Sequence, residues 1–305
     1  MMKLSGIAAF LATAEAGSIS AASRRLGLAT SVVSERLADL EKALGTKLIQ
    51  RTTRKLSLTE SGLSFLPRAQ RIIREADEAE AELAARSGTL AGPLRLSAPV
   101  SFGALHFGSA LCRFLLEHPE IDVSLELDDR FVDVAADGFD AVLRHGPVGD
   151  TRLIAQRLAV SRRLLVASPT YLKRYGCPVA LTDLSNHRGI LYSNRESDWR
   201  FRTASGWSVV RPTPALRVNN GMIMKDAALA GIGIALLPTF FVHDSIASGA
   251  LVALDIGVRA EGAELFIAYA RDHGSTAKIL ALAASLRQSF GEPPYWDNPL
   301  ITQGE

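Results

Sequence analysis

Two sets of side chains in this sequence have the types and spacing to make specific polar contacts. The first is Thr30, Ser31, Ser34 and Glu35, with Arg36 beside them. Steps of three and four residues put the first four on one helix face. From there, short hydroxyls and a carboxylate can reach base edges in a major groove. Further on, Arg51, Arg54 and Lys55 form a cationic cluster suited to phosphates, which gives affinity without sequence choice. The second set is dispersed along the chain: Pro99, Val100, Ser101 and Phe102, then His145, then Asn219 and Asn220. Ser101 and the two asparagines stand where strand patterns give way to helical ones. Free backbone N–H groups at such points favour an anion. Phe102 would supply an apolar wall, Ser101 and His145 donors. A small anionic ligand is the expectation.

For catalysis the sequence offers little. Six histidines (His106, His118, His145, His187, His243, His273) are scattered without paired metal-ligand spacing. There is no GxSxG elbow and no phosphate-binding GxxxxGK[ST] loop. "GIGIAL" from Gly231 half-matches a dinucleotide fingerprint. It follows a helix and leads into a strand, the reverse of what phosphate binding needs, and Gly231 more simply closes that helix. No catalytic set, metal or cofactor is expected.

These side chains need elements to hold them. Apolar spacing predicts a helix over Leu4–Ala16, then Gly17 as a break and Ser18 as an N-cap. A second helix through Leu26 ends at Gly27, and Thr30 or Ser31 caps a third. That third helix steps through Val33, Leu37, Leu40 and Leu44 and closes at Gly45. Ala21, Ala22 and Leu26 would lock against Leu28, Val33 and Leu37 as in a helix-turn-helix. Residues 46–59 read as a two-stranded hairpin with Arg51 to Lys55 at its tip. From Glu60 to Arg86 a helix carries Leu63, Leu66, Ile73, Ala76 and Leu83 at near-heptad spacing, a stripe for a partner helix. Pro67 predicts a kink there or a later start. A Gly/Ser/Pro linker follows. Beyond it strand and helix patterns alternate up to a final helix over Thr276–Phe290, which implies an α/β body with largely parallel sheets. Residues 291–305, rich in Pro and Gly at their start, read as a loose tail.

Charge divides the chain in the same way. Residues 1–74 hold 12 Lys and Arg against 5 Asp and Glu; the remainder holds 22 against 27. A basic head on an acidic body fits a nucleic-acid-binding domain joined to something else. No apolar run approaches the roughly 20 residues of a membrane span. The N-terminus reads as an amphipathic helix and not a signal peptide. Cys112 and Cys177 form no CxxC pair, so a reducing cytoplasm is expected. Two other classes compete with a regulator: an α/β solute-binding module or enzyme with an added helical head, and an architectural DNA binder without a ligand. No titratable cluster supports an enzyme, and an architectural protein has no use for so large an α/β body.

Phe10, "GSISAASRRLGL", Ser34, "LEKALGTKL", Arg51, "RKLSLTESG" and, later, "NNGMIMKDAALAGIGIALLP" resemble LysR-type transcriptional regulators, and the resemblance runs the whole length. It implies a multidomain fold: an α-helical winged helix-turn-helix, a long linker helix that dimerises, and a two-lobed α/β effector domain resembling type 2 periplasmic binding proteins. Applied to this sequence, it implies DNA binding by residues 1–59, a linker helix over 60–86 and a hinge over 87–93. The effector domain would span 94–290, with one lobe of 94–162 plus 268–290 and the other of 163–267. The implied partners are double-stranded DNA, a small-molecule effector, a second copy in a homodimer or homotetramer, and RNA polymerase, with no membrane. The family often has Arg or a similar donor where Glu35 stands. A carboxylate there favours the N4 donor of cytosine, so the operator does not carry over from relatives.

Overall fold

The computed structural model describes residues 1–51, 56–86, 90–130, 134, 137–146, 148–194, 199–270 and 276–297. Arg54, Lys55 and His273 lie outside the described residues. The chain divides into two compact units, Met1–Pro93 with His273–Ala277, and Leu94–Asp272 with Lys278–Glu305.

The first unit is built on α1 (Leu4–Ala16), α2 (Ile19–Leu26) and α3 (Thr30–Leu44). Ser18 caps α2 as expected, its Oγ accepting the Ala21 N–H at 3.1 Å. Gly17, Gly27 and Gly45 end the three helices at φ of 65°, 62° and 69°, a left-handed conformation that costs other residues more. The cap expected of Thr30 or Ser31 is absent. Ala29 is the N-cap residue and offers no side-chain bond. The turn after Gly27 is tight enough that Thr30 already belongs to the helix, and its Oγ1 lies 3.5 Å from Ser23 Oγ on α2. Small buried residues, Ala9, Ala12, Ala22 and Val33, bring the helices close, with Leu26 and Leu28 packed against them. Leu44, the last of the expected apolar row on α3, is 37 % exposed.

Strands β1 (Ile49–Arg51) and β2 (Leu56–Leu58) pair antiparallel as the wing, and α4 (Glu60–Arg86) follows. This helix neither starts at Pro67 nor stops there but carries it within. Thr59 joins α4 to the wing: its Oγ1 accepts the Gly62 N–H at 3.0 Å and donates to the Lys47 carbonyl at 2.6 Å. Gly62 must be glycine here, because a Cβ would overlap the Leu48 carbonyl oxygen. The expected dimer stripe on α4 is partly used inside the unit. Leu66 and Ile73 pack on a core of Ile7, Phe10, Leu37, Leu40, Leu48 and Ile49.

The second unit opens with β3 (Gly92–Ala98), then α5 (Val100–Phe102), a π-helical stretch Gly103–Phe107 and α6 (Gly108–Glu117). Next come β4 (Ile121–Leu127), β5 (Ala141–His145), β6 (Leu153–Ser161), β7 (Arg163–Ala167), α7 (Pro169–Tyr175) and β8 (Arg188–Tyr192). The chain continues through β9 (Arg200–Thr203), β10 (Gly206–Val209), β11 (Thr213–Val218), α8 (Gly221–Leu229), β12 (Ile234–Pro238) and α9 (Thr239–Ala247). It closes with β13 (Val252–Leu254), β14 (Arg259–Ala260), β15 (Ala263–Ala270) and α10 (Thr276–Phe290). Two five-stranded sheets result, ordered β4-β3-β5-β15-β6 and β11-β8-β12-β7-β13, with a small sheet β10-β9-β14 on the second lobe.

The sheets are mixed, against the expectation of largely parallel ones. β3 runs parallel to β5, and β8 parallel to β11 and β12. β15 is antiparallel to β5 and β6, and β7 antiparallel to β12 and β13. These two are the strands the chain enters on passing between lobes. With no crossover helix before them, nothing imposes a parallel course. β15 joins the first sheet from Ala263, so the expected lobe boundary at 267/268 falls inside this strand. Residues 291–297 are not a loose tail: Trp296 and Asp297 are each 1 % exposed, and Arg162 pairs with Asp297 at 3.3 Å. Among the described residues no helix is long and apolar enough to cross a membrane.

Candidate functional site

Helix α3 separates its residues cleanly. Val33, Leu37 and Leu40 are buried, whereas Thr30, Ser31 and Glu35 are exposed and Ser34 and Arg36 half-buried. Its polar first turns therefore face away from the core. Arg51 ends β1, so the expected cationic tip begins where that strand ends.

What sequence reasoning missed is how the wing is fixed relative to α3. Glu41, near the C-terminal end of α3 and 7 % exposed, accepts the N–H groups of Leu48 at 3.0 Å and Ile49 at 3.2 Å. Lys47 Nζ donates to the same carboxylate at 2.6 Å. Burial pushes the Glu41 pKa up, but Lys47 and the two N–H groups more than offset this and leave it below the ordinary 4.5. A carboxyl with a depressed pKa stabilises the fold above its unfolded pKa and loses that contribution as pH falls through the folded one. Glu41→Gln should cost the first unit about 2 kcal/mol at neutral pH, because charge-assisted bonds to buried donors are lost. It should also weaken DNA binding through the displaced wing. Chemical denaturation followed by far-ultraviolet circular dichroism at neutral and acid pH checks this; the variant should be less sensitive to acid than the wild type.

A cavity of about 230 Å³ lies between the two five-stranded lobes. Of the seven residues expected at a ligand site, Pro99, Ser101, Phe102, His145 and Asn219 line it. Val100 and Asn220 are not among the lining residues, and both helix starts are already occupied. The Val100 N–H donates to Asp129 at 3.0 Å. Asn220 Oδ1 accepts the N–H groups of Met222 and Ile223 at 2.9 and 3.3 Å. Asn220 Nδ2 also reaches Ser101 Oγ at 3.4 Å, a hydrogen bond from one lobe to the other. Ser101 does not cap its helix: the N-cap residue is Pro99, without a side-chain bond.

His145 is embedded in rings. It stacks on Phe240 with centroids 5.0 Å apart and meets the Phe102 edge at 5.2 Å. Both its nitrogens are buried without a protein partner, and burial, aided by His106, pushes its pKa down to about 4. The imidazole is thus neutral near pH 7. Phe102, 1 % exposed, belongs more to the core than to an open wall. The residues not foreseen include Asp129, Arg163, Tyr192, Met224, Phe240 and Phe241. Arg163 is the cation of the set, 9 % exposed, with Nη2 donating to the Leu236 carbonyl at 3.4 Å. Cavity formation depends on meetings between distant segments, and no local spacing announces those. Among the described residues no cluster of His, Cys, Asp and Glu could hold a metal ion.

Comparison with known proteins gives a consistent result. Residues 4–63 match the family described as "Bacterial regulatory helix-turn-helix protein, lysR family", and residues 87–291 match "LysR substrate binding domain". The regulator PtxR of Pseudomonas aeruginosa is 32 % identical, covering 96 % of this chain and 95 % of its own. CrgA of Neisseria meningitidis is 35 % identical over 80 % of this chain and 82 % of its own. The solved structure of CrgA, a LysR-type transcriptional regulator, aligns over 98 % of each chain at 28 % identity and a TM-score of 0.57. The polar helix face, the wing and the two-lobed cleft are therefore parts of one known design, and the chain belongs to the LysR family of effector-responsive, DNA-binding transcriptional regulators.

Proposed function

We propose that this regulator reads duplex DNA through the first turns of α3 and that a small organic acid held between its lobes sets its activity. The division of α3 carries the first half of this reading: its apolar residues are buried while Thr30, Ser31 and Glu35 are exposed. Glu35 would accept from cytosine N4, Arg36 would donate to guanine, and the hydroxyls suit either base. Arg51, Arg54 and Lys55 would contact phosphates. The DNA-binding domain ends near residue 59 and the linker helix near 86, after which the effector domain runs to about 290. Homodimers or homotetramers form through α4 at Ala76 and Leu83, beyond the part used within the unit. The protein acts in the cytoplasm, has no catalytic activity or cofactor, and meets RNA polymerase at its promoters.

The ligand class follows from the cavity's composition. Helix starts cannot supply the anion site alone, since Asp129 and Asn220 already engage them. Arg163 instead offers a guanidinium, whose planar fork suits a carboxylate. Ser101 can donate its own hydroxyl proton while accepting from Asn220. Phe240, Phe241 and Met224 supply apolar surface for the remainder of the molecule. Calorimetric titration with a panel of organic acids tests this. A ligand should be found whose affinity falls at least about tenfold, or 1.4 kcal/mol, in both Ser101→Val and Arg163→Gln. Its affinity should stay level between about pH 6 and 8, because His145 remains neutral there. Binding only by neutral apolar compounds would refute the acid reading.

A further inference from the structure

The small sheet β10-β9-β14 has one side in the core. Phe201 on β9 and Trp199 just before it are each 1 % exposed, and Val210, Val258 and Ala260 pack with them. The other side faces water. Register sets Trp207 opposite Arg202, and Arg202 opposite Arg259, in one row across all three strands. One step along, Val209 stands opposite Arg200. Residues two apart in a strand share a face, so Arg200, Arg202, Trp207, Val209 and Arg259 form a single surface.

This surface combines exposed apolar and cationic side chains. Trp207 is 47 % exposed and Val209 38 %. The guanidinium carbons of Arg200 and Arg202 lie 5.2 and 5.4 Å from the Trp207 ring centroid, within cation–π range. Arg200 is paired with Glu261 at 2.9 Å. Arg202 and Arg259 are exposed and make no ion pair among the described residues. Two cations without an ion pair among the described residues thus stand beside an exposed tryptophan.

We propose that this face is a docking surface for an acidic segment of a partner protein, with carboxylates on Arg202 and Arg259 and an apolar side chain over Trp207 and Val209. Charge complementarity selects an acidic partner, and the arginine fork matches a carboxylate in two bonds. The apolar half of the surface selects protein over duplex DNA. A duplex presents phosphates to such a face and keeps its bases stacked, leaving Trp207 and Val209 without a use. Tryptophan and arginine are also the residues in which protein interfaces concentrate binding energy. Trp207 already lies against its guanidinium neighbours, so little freedom remains to be lost on binding.

The test uses the full-length protein and a dye-labelled, tryptophan-free peptide of alternating Glu and Leu, read by fluorescence anisotropy. Trp207→Ala, and Arg202→Gln together with Arg259→Gln, should each weaken binding at least about tenfold. Tyr175→Ala, which removes an aromatic residue 43 % exposed on α7, should leave it unchanged. Of the three tryptophans, Trp199 and Trp296 are 1 % exposed, so iodide should quench mainly Trp207. The peptide should protect against that quenching. Absence of wild-type binding up to about 1 mM, or binding indifferent to these substitutions, would overturn the proposal. So would loss of affinity for non-operator duplex in the arginine variant, which would assign the face to nucleic acid. A changed mass by light scattering would assign it to contact between copies and overturn the proposal equally.

Discussion

Acidification from about pH 7 to about pH 4 should destabilise the second unit by up to about 3 kcal/mol through His145 alone, given its pKa of about 4 against an ordinary 6.5. The imidazole is buried neutral, with both nitrogens unpartnered in the protein and rings of Phe102 and Phe240 around it. Unfolding releases it to bind a proton wherever the pH lies below its unfolded pKa. The unfolded state then holds more protons, so stability falls as pH drops through 6.5 and levels off below the folded pKa. His106 contributes in the same direction, its pKa lowered chiefly by burial against a raising contribution from the Phe240 carbonyl. All three tryptophans lie between residues 199 and 296, so their emission during urea unfolding reports this unit and not the DNA-binding one. His145→Phe should keep the stacking on Phe240 and remove most of the pH dependence. Comparing each protein with itself at two pH values cancels any packing cost of the substitution. An unchanged slope in the variant would mean that His145 is hydrated or charged in the fold.

Trp296→Ala should cost about 3–5 kcal/mol, the range for removing a large buried aromatic side chain. Trp296 is 1 % exposed and closes a cluster in which its ring lies 4.9 Å from His106, 5.3 Å from Phe290 and 5.8 Å from Phe102. The neighbouring Tyr295 hydroxyl meets His106 Nδ1 at 2.5 Å, and His106 Nε2 meets the Phe240 carbonyl at 3.0 Å. Residues 295–297 thus contact a helix from each lobe. Phe102 and Phe240 line the cavity, so removing the ring behind them should also weaken the ligand. Tyr295→Phe, which deletes one hydrogen bond, should cost only about 1 kcal/mol. A midpoint shift for Trp296→Ala no larger than that for Tyr295→Phe would show that this segment merely rests on the surface.

Much of the first unit was legible because its signals are local. Ser18 as a cap, Gly27 and Gly45 as helix ends, and the buried row Val33, Leu37, Leu40 each follow from a few adjacent residues. The Thr30 cap misled because a hydroxyl at a helix start has two uses, and here it faces back to Ser23. In the second unit the strands rich in Val, Ile and Leu, such as β5 and β12, carry strong local signals. β6 carries a weaker one: among the described residues it pairs with β15 at the sheet edge, and Gln156 and Arg157 break its alternation. β11 carries Pro214, which masks a strand in sequence. Strand direction in β7 and β15 depends on passage between lobes, a property of the whole chain. The cavity followed the same rule. Ser101 and Asn219 were visible beside helix starts, whereas Arg163 and Asp129 reach the cleft only once the lobes have formed. The aromatic residues Tyr295 and Trp296 were the available signal that the Pro/Gly-rich end would pack.

In the proposed division of labour the exposed start of α3 chooses the DNA sequence while the wing supplies affinity. Its most direct test is selection from a randomised duplex library, with binding constants for the selected sites, using wild type, Glu35→Ala, and Arg51→Ala with Arg54→Ala. Loss of Glu35 should relax preference at a cytosine-containing base pair in each half-site, by about 1–3 kcal/mol of discrimination. Loss of the two arginines should weaken all sequences alike and reduce the salt slope by about one per lost phosphate contact. A uniform loss of affinity in Glu35→Ala, with the selected sequence unchanged, would show that this face of α3 does not read bases.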